Sequence, residues 1–140
     1  MKGLSHPNLL QYHGVYQNET HIAVITEYLT GQNFREYLVK QPEKRISEQE
    51  ARTYFKQILS VIDYLLKHNV IHRNINLKNI FIDRNQLKVG DFLITNKIKP
   101  IYKPHSDTSA YHFYAPECWL DEGQTINVSS DIWALGKYQM

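Results

Sequence analysis

The stretch that decides the fold is HRNINLKN at residues 72–79, followed by IFIDRNQLKVGDF at residues 80–92. The second part contains two short apolar runs, at 80–82 and 87–89, on either side of the polar sequence DRNQ. Short apolar runs that flank a polar turn are typical of a β-hairpin. The first part therefore lies between a predicted hairpin and the helix predicted immediately upstream.

That upstream helix has the strongest periodic pattern in the chain. The sequence SEQE at residues 47–50 has capping-box spacing, and apolar residues then recur at steps of three and four. This spacing predicts an amphipathic helix of about five turns, ending near Asn69, because asparagine tolerates the left-handed cap conformation. The predicted apolar face comprises Ala51, Tyr54, Phe55, Ile58, Leu59, Ile62 and Leu66.

The N-terminal part predicts a further hairpin and a short helix. Residues 11–16 and 21–26 have the composition of strands, and the polar turn QNET separates them. A second capping box begins at Asn33 and opens a helix that stops before Pro42.

The C-terminal part is less regular. Residues 94–112 have no clear period and contain two prolines, and a loop of that length in a compact domain tends to be functional. An apolar pattern then predicts a helix that begins at Asp131.

Composition favours a globular intracellular protein. Of 140 residues, 42% are apolar and 21% charged, a balance typical of one folded domain. The net charge of +2 argues against a nucleic-acid partner. The single cysteine, Cys118, fits a reducing compartment, and no apolar run approaches the roughly 20 residues of a membrane span. We therefore expect a cytoplasmic protein that contacts neither nucleic acid nor membrane.

Residues 72–79 resemble the catalytic loop of protein kinases, H-R-D-x-x-x-x-N. The sequence GDFL at 90–93 is similar to the D-F-G motif, and Ala115, Pro116 and Glu117 match A-P-E, which closes the activation segment. HPNL at 6–9, ITEYL at 25–29 and DIWALG at 131–136 resemble the turn after the regulatory helix, the hinge and the central large-lobe helix. Because these motifs follow the family's order and spacing, the chain is identified as a member of the protein kinase superfamily, of serine/threonine type.

The resemblance implies an α+β protein-kinase-like fold that is partial. Residues 1–26 would be a remnant of the small lobe, 27–33 the hinge, and 34–140 the large lobe, incomplete at its C-terminus. The 140 residues contain no G-x-G-x-x-G sequence. The resemblance implies that this loop, together with the family's strand lysine, would lie upstream of Met1.

The cofactors that the resemblance implies are ATP and Mg²⁺. Asn79 and Asp91 match the catalytic-loop asparagine and the D-F-G aspartate, which hold magnesium on the nucleotide phosphates. By resemblance, Thr26 stands at the gatekeeper position, and Glu27 and Leu29 lie in the hinge. Phe81 would form the floor of the adenine pocket. Phe81 fits equally well as a strand residue of the core that needs no ligand.

The resemblance also exposes substitutions at the catalytic positions. Asn74 stands where the family has the aspartate that accepts the substrate proton, and an amide cannot take a proton at neutral pH. Asn76 stands at the position of a phosphate-neutralising lysine, Ala110 at that of a threonine, and Leu93 at that of the D-F-G glycine. General-base assistance contributes about 10²–10⁴-fold to a rate. The substitutions together predict a pseudokinase.

Other polar residues of these motifs have structural or regulatory roles by resemblance. His72 would pack beneath Phe92, with Tyr12 above it and Asp131 below. Arg73 would bind a phosphorylated side chain of the activation segment, because guanidinium binds phosphate bidentately. The candidate acceptors are Ser106, Thr108 and Ser109, although polar loops are rich in these residue types in any case.

Three hypotheses for function follow. The first is a pseudokinase region that serves as a regulatory or binding module with a protein partner. The second is an active, divergent serine/threonine kinase that phosphorylates a protein substrate despite Asn74. The third is a gene or transcript fragment without function of its own.

Overall fold

The computed structural model describes residues 3–91, 112–119 and 128–137. In these residues the strands form two small sheets. The first is an antiparallel hairpin of β1 (Tyr12–Gln17) and β2 (Ile22–Thr26). The second has the strand order β3 (Gln32–Asn33), β4 (Ile80–Asp83), β5 (Gln86–Val89), with both pairs antiparallel. The two predicted hairpins are confirmed, whereas the two-residue strand β3 was not predicted.

The described helices are α1 (Phe34–Lys40), α2 (Glu48–Lys67) and α3 (Val128–Gly136). Short 3₁₀ turns occur at Pro42–Lys44 and Pro116–Trp119. This succession of small-sheet strands and helices is the α+β arrangement that the sequence predicts. In the part of the chain that the structure describes, no helix combines the length and apolar character needed to cross a membrane.

The predicted helix starts are confirmed by their caps. The Asn33 side chain accepts a hydrogen bond of 2.9 Å from the backbone N–H of Glu36, and Ser47 Oγ accepts one of 3.2 Å from that of Glu50. Each bond satisfies a donor that a helix N-terminus otherwise leaves without a partner. At the other end of α2, Asn69 has a left-handed φ of 56°, as its position near the helix end predicted.

The buried face of α2 differs from the predicted one. Its buried residues are Ile58, Val61, Ile62 and Leu65. Leu59 and Leu66, which we assigned to this face, are 40% and 37% exposed. Each of them follows a buried residue directly and is therefore rotated by about 100° around the helix axis. The assignment of Leu59 and Leu66 to the core was wrong because the apolar pattern is wider than the face that packs.

Helix α3 begins at Val128, three residues before the predicted start at Asp131. The start was missed because Ser129, Ser130 and Asp131 carry no apolar signal. Ser130 and Asp131 are nevertheless buried, and Ala134 and Leu135 join the hydrophobic core. Ser130 and Asp131 therefore face the interior, where the Ser130 hydroxyl donates to Glu117 and Asp131 accepts hydrogen bonds from the start of the loop at 72–79.

The N-terminal segment is joined to the second sheet. The backbone N–H of Leu10 donates to Val89 O, and that of Val89 donates to Asn8 O, both at 2.8 Å. The Gly90 N–H donates to Asn79 O at 2.9 Å. Strand β5 is thus held by the N-terminal segment at one point and by the end of the 72–79 loop at the next. The core beneath it contains the fully buried side chains Val61, Leu65, Ile80, Leu87 and Val89.

Candidate functional site

Asp131 of α3 anchors the start of the loop at 72–79. One carboxylate oxygen accepts a hydrogen bond from the His72 N–H and the other from the Arg73 N–H, both at 2.8 Å. Burial raises the pKa of the Asp131 carboxyl group, although these two donors act in the opposite direction. Each carboxylate oxygen has its own backbone donor, so α3 fixes where the loop begins.

His72 is completely buried beside this anchor. Its Nδ1 atom accepts a hydrogen bond of 3.2 Å from the Asn74 N–H, so this nitrogen carries no proton. Burial lowers the pKa of His72 to about 4, against the opposing effect of a hydrogen bond with the backbone of Gly90. The imidazole is therefore neutral at pH 7, which favours the packed, structural role expected for it. The contact expected with Phe92 lies outside the described residues.

The buried histidine predicts an acid-sensitive fold. The pKa of His72 is about 4 in the folded chain and about 6.5 in the unfolded chain. The contribution of His72 to the unfolding free energy is fully present above pH 6.5 and is lost as the pH falls toward 4. Over this range the histidine is protonated in the unfolded chain but not yet in the folded one, so acid favours unfolding. Linkage makes the loss in unfolding free energy about 3 kcal/mol by pH 4.

Urea unfolding at pH 7 and pH 4 measures this loss. The variant His72→Phe should lose most of the pH dependence, whereas His13→Gln, at an exposed histidine, should keep it. Equal pH dependence in wild type and His72→Phe would show that another group is responsible.

The Asn74 side chain forms hydrogen bonds at both ends of its amide. Its Nδ2 donates to the backbone carbonyl of Asp91 at 3.0 Å, and its Oδ1 accepts from Asn76 Nδ2 at 3.0 Å. Asn76 Nδ2 also lies 3.1 Å from the carbonyl oxygen of Asn74, and Asn79 Nδ2 donates to that oxygen at 2.9 Å. The three asparagines therefore form one hydrogen-bonded network around residue 74.

Asn76 closes the turn of the loop within this network. Its Oδ1 accepts a hydrogen bond from the Lys78 N–H, and its carbonyl oxygen accepts one from the Asn79 N–H, both at 3.0 Å. Asn76 and Asn79 are both buried. Side-chain amides thus replace regular secondary structure in holding the loop.

Asn79 and Asp91, the predicted metal ligands, carry oxygen atoms of the kind that a magnesium ion accepts. The Asn79 amide nitrogen is bonded to Asn74 O, which directs the amide oxygen to the opposite side. The Asp91 side chain is exposed, and its backbone has a left-handed φ of 56°. Amide and carboxylate oxygens are ligands that Mg²⁺ accepts, usually together with waters and substrate phosphates. Residues 79 and 91 are brought together by the Gly90–Asn79 backbone bond.

Glu27, at the start of the predicted hinge, is tied to the second sheet by an ion pair that the sequence did not predict. Lys88 Nζ lies 2.9 Å from Glu27 Oε1, with side-chain exposures of 16% and 28%. The same oxygen accepts a hydrogen bond of 2.8 Å from the Gln11 N–H. Burial raises the pKa of Glu27, but the Gln11 and Lys88 donors outweigh burial and the pKa is lowered. Sixty-one residues separate the pair, so no local pattern could have found it.

The remaining predicted nucleotide-binding residues occupy the same region. Thr26 ends β2, and its hydroxyl donates to the Glu27 carbonyl oxygen at 3.1 Å. Leu29 is half-buried. Phe81 lies on β4, half-buried, opposite Asn33 and Lys88 in the sheet.

The predicted activation segment is described only at its end. Phe92, Leu93, Ser106, Thr108, Ser109 and Ala110 lie outside the described residues. Ala115 is buried, and Pro116 and Glu117 lie in the following 3₁₀ turn. Glu117 accepts a hydrogen bond of 3.1 Å from the Ser130 hydroxyl, which ties this turn to α3.

Comparison with known proteins shows the family to which the chain belongs. Residues 1–139 match the model of the protein kinase domain family. CBL-interacting protein kinase 31 of Oryza sativa subsp. japonica is 32% identical over 97% of this chain and 30% of its own length. CBL-interacting serine/threonine-protein kinase 3 of Arabidopsis thaliana is 31% identical over 97% of the chain and 31% of its own length. The probable serine/threonine-protein kinase PLK of Dictyostelium discoideum is 27% identical over 95% of the chain and 13% of its own length. The chain thus spans less than a third of each of these relatives.

Proposed function

Since the chain belongs to the protein kinase domain family, we propose that it is a serine/threonine-kinase-like region that acts as a pseudokinase with a regulatory or binding role. The observation that carries this proposal is the Asn74 side chain. Its amide donates to the Asp91 carbonyl and accepts from Asn76, where the family has an aspartate. A group that is bonded at both ends and is not basic has no means of receiving the substrate proton.

The neighbouring position supports the same conclusion. Phosphoryl transfer depends on positioning and on neutralising charge that develops in the transition state. Asn76 is neutral, and its amide is used within the loop, on Asn74 and on the Lys78 N–H. Neither a base at position 74 nor a cation at position 76 is therefore present where the family's chemistry needs them.

The nucleotide side of the proposal rests on residues that keep the family pattern. Asn79 and Asp91 would hold Mg²⁺, and the hinge together with β4 would border the adenine. When bound, the metal neutralises phosphate charge. The chain's own contribution is to orient the two oxygen ligands and, through the Lys88–Glu27 pair, to fix the hinge. The residues assigned to the adenine side are Thr26, Glu27, Leu29 and Phe81.

The expected partner is a protein. Two of the similar kinases carry names that describe them as CBL-interacting, and all three are named as kinases. A protein partner or protein substrate inside the cell is the corresponding proposal for this chain.

An active, divergent kinase is the second candidate. It is favoured by Asn79 and Asp91, which retain the family's metal ligands, and by the kinase names of the relatives. Under this alternative, the protein would transfer phosphate at an ordinary rate with Asn74 in place.

Restoring the family residues distinguishes the two candidates. In the full-length protein, Asn74→Asp combined with Asn76→Lys supplies both the base and the cation. We expect transfer of radiolabelled phosphate from ATP to a serine/threonine peptide to rise at least about 100-fold over wild type. The matched control Asn85→Asp changes the same residue type in the exposed β4–β5 turn and should leave the rate unchanged. A double variant no faster than wild type would contradict the proposal that these positions limit transfer.

A further inference from the structure

The hydrogen bond between the Asn74 side chain and the Asp91 carbonyl is one that the family's aspartate could not make. We infer that Asn74 is a positioning residue, which uses this bond to fix the backbone of Asp91 and so to set the direction of its carboxylate. The inference rests on the proposed role of Asp91 as a metal ligand. It assigns residue 74 a task in metal binding in place of proton transfer.

The backbone of Asp91 is held on both sides. Its φ of 56° lies in the left-handed region, which aspartate adopts more readily than most residues other than glycine but still at a cost in energy. On the N-terminal side, the preceding Gly90 N–H is bonded to Asn79 O at 2.9 Å. On the C-terminal side, the Asp91 carbonyl is bonded to Asn74 Nδ2 at 3.0 Å. Contacts from the same loop thus restrain the chain before and after Asp91.

Only a side chain with both a donor and an acceptor satisfies this arrangement. An ionised aspartate at position 74 would offer acceptor oxygens alone, and one of them would face the Asp91 carbonyl oxygen. Asn76 orients the Asn74 amide, because Asn76 Nδ2 donates to Asn74 Oδ1 at 3.0 Å. With its oxygen bonded to Asn76, the Asn74 amide directs its own Nδ2 toward the Asp91 carbonyl. The substitutions at positions 74 and 76 therefore act as one unit.

A direct test follows the side-chain amide of Asn74. In protein labelled with ¹⁵N-asparagine, the Asn74 signals are those that disappear in Asn74→Asp. We expect the amide protons of Asn74 to exchange with D₂O about fivefold more slowly than those of Asn85 in the exposed turn. Exchange as fast as that of Asn85 would show that the bond to Asp91 does not hold and would overturn the inference.

The consequence for the metal site is tested with Mn²⁺ alone, by electron paramagnetic resonance of the free ion. Asn74→Ala leaves the net charge unchanged and removes the bond to Asp91, so the Kd for Mn²⁺ should rise about three- to tenfold, the loss of one hydrogen bond. Asn85→Ala should leave the Kd unchanged. An unaltered Kd in Asn74→Ala, or a wild-type protein without a Mn²⁺ site, overturns the inference. Phosphoryl transfer enters neither measurement, so failure of the pseudokinase proposal would be seen separately.

Discussion

Replacing Asp131 with alanine is expected to destabilise the chain by about 3–5 kcal/mol. The Asp131 carboxylate is buried and accepts one hydrogen bond from each of the His72 and Arg73 N–H groups. In Asp131→Ala both backbone donors lose these acceptors at a buried position, and each loss costs the bond together with the desolvation of the donor. Chemical unfolding at pH 7 measures the difference.

The matched control for this prediction is Asp63→Ala on the exposed side of α2. Asp63 lies 2.7 Å from Lys67 with both side chains largely exposed, and such surface pairs contribute little. Asp63→Ala should therefore show a small fraction of the loss seen for Asp131→Ala. Equal losses for the two variants would mean that the anchor between α3 and the 72–79 loop contributes nothing particular to stability.

Gly31→Ala is expected to destabilise the chain by at least about 3 kcal/mol. A Cβ atom at residue 31 would collide with the carbonyl oxygen of Ile82 and lie 2.7 Å from the Ile82 carbonyl carbon. These are backbone atoms of β4, so the contact cannot be relieved by a change of side-chain rotamer. Relief requires the hinge strand β3 to move away from β4, which breaks the pairing of Gln32 with Ile82.

Gly14→Ala provides the control, because no atom lies within 4 Å of the Cβ that it would add. Alanine also restricts the unfolded chain more than glycine does, so Gly14→Ala should be neutral or slightly stabilising. A Gly31→Ala variant that unfolds at the wild-type denaturant concentration would show that β3 does not pack against β4 as described.

The parts of the fold that were predictable depend on local chemistry. The caps at Asn33 and Ser47 follow from interactions over three residues, so their spacing alone located the starts of α1 and α2. The start of α3 was missed because its first turn buries polar residues. Ser130 is buried because it bonds Glu117, and Asp131 because it bonds the loop at 72–79. Hydrophobic periodicity does not detect polar residues that are buried by such contacts.

The same distinction applies to the candidate site. Motif spacing predicted Asn74, Asn76, Asn79 and Asp91 as residues of one site, and the described hydrogen bonds join Asn74 to each of the other three. The direction of each amide depends on the three-dimensional arrangement of the loop, so the bond from Asn74 to Asp91 could not be predicted. The Lys88–Glu27 pair was missed for a related reason, because it joins elements that lie far apart in the sequence.

We propose that residue 74 does not accept the substrate proton. The most direct test of this proposal is the rate at which the wild-type full-length protein transfers radiolabelled phosphate from ATP to a generic serine/threonine peptide. Kinases of the family typically turn over at about 1–100 per second. We expect no transfer above the background of a sample without protein. A wild-type rate within tenfold of that range would contradict it.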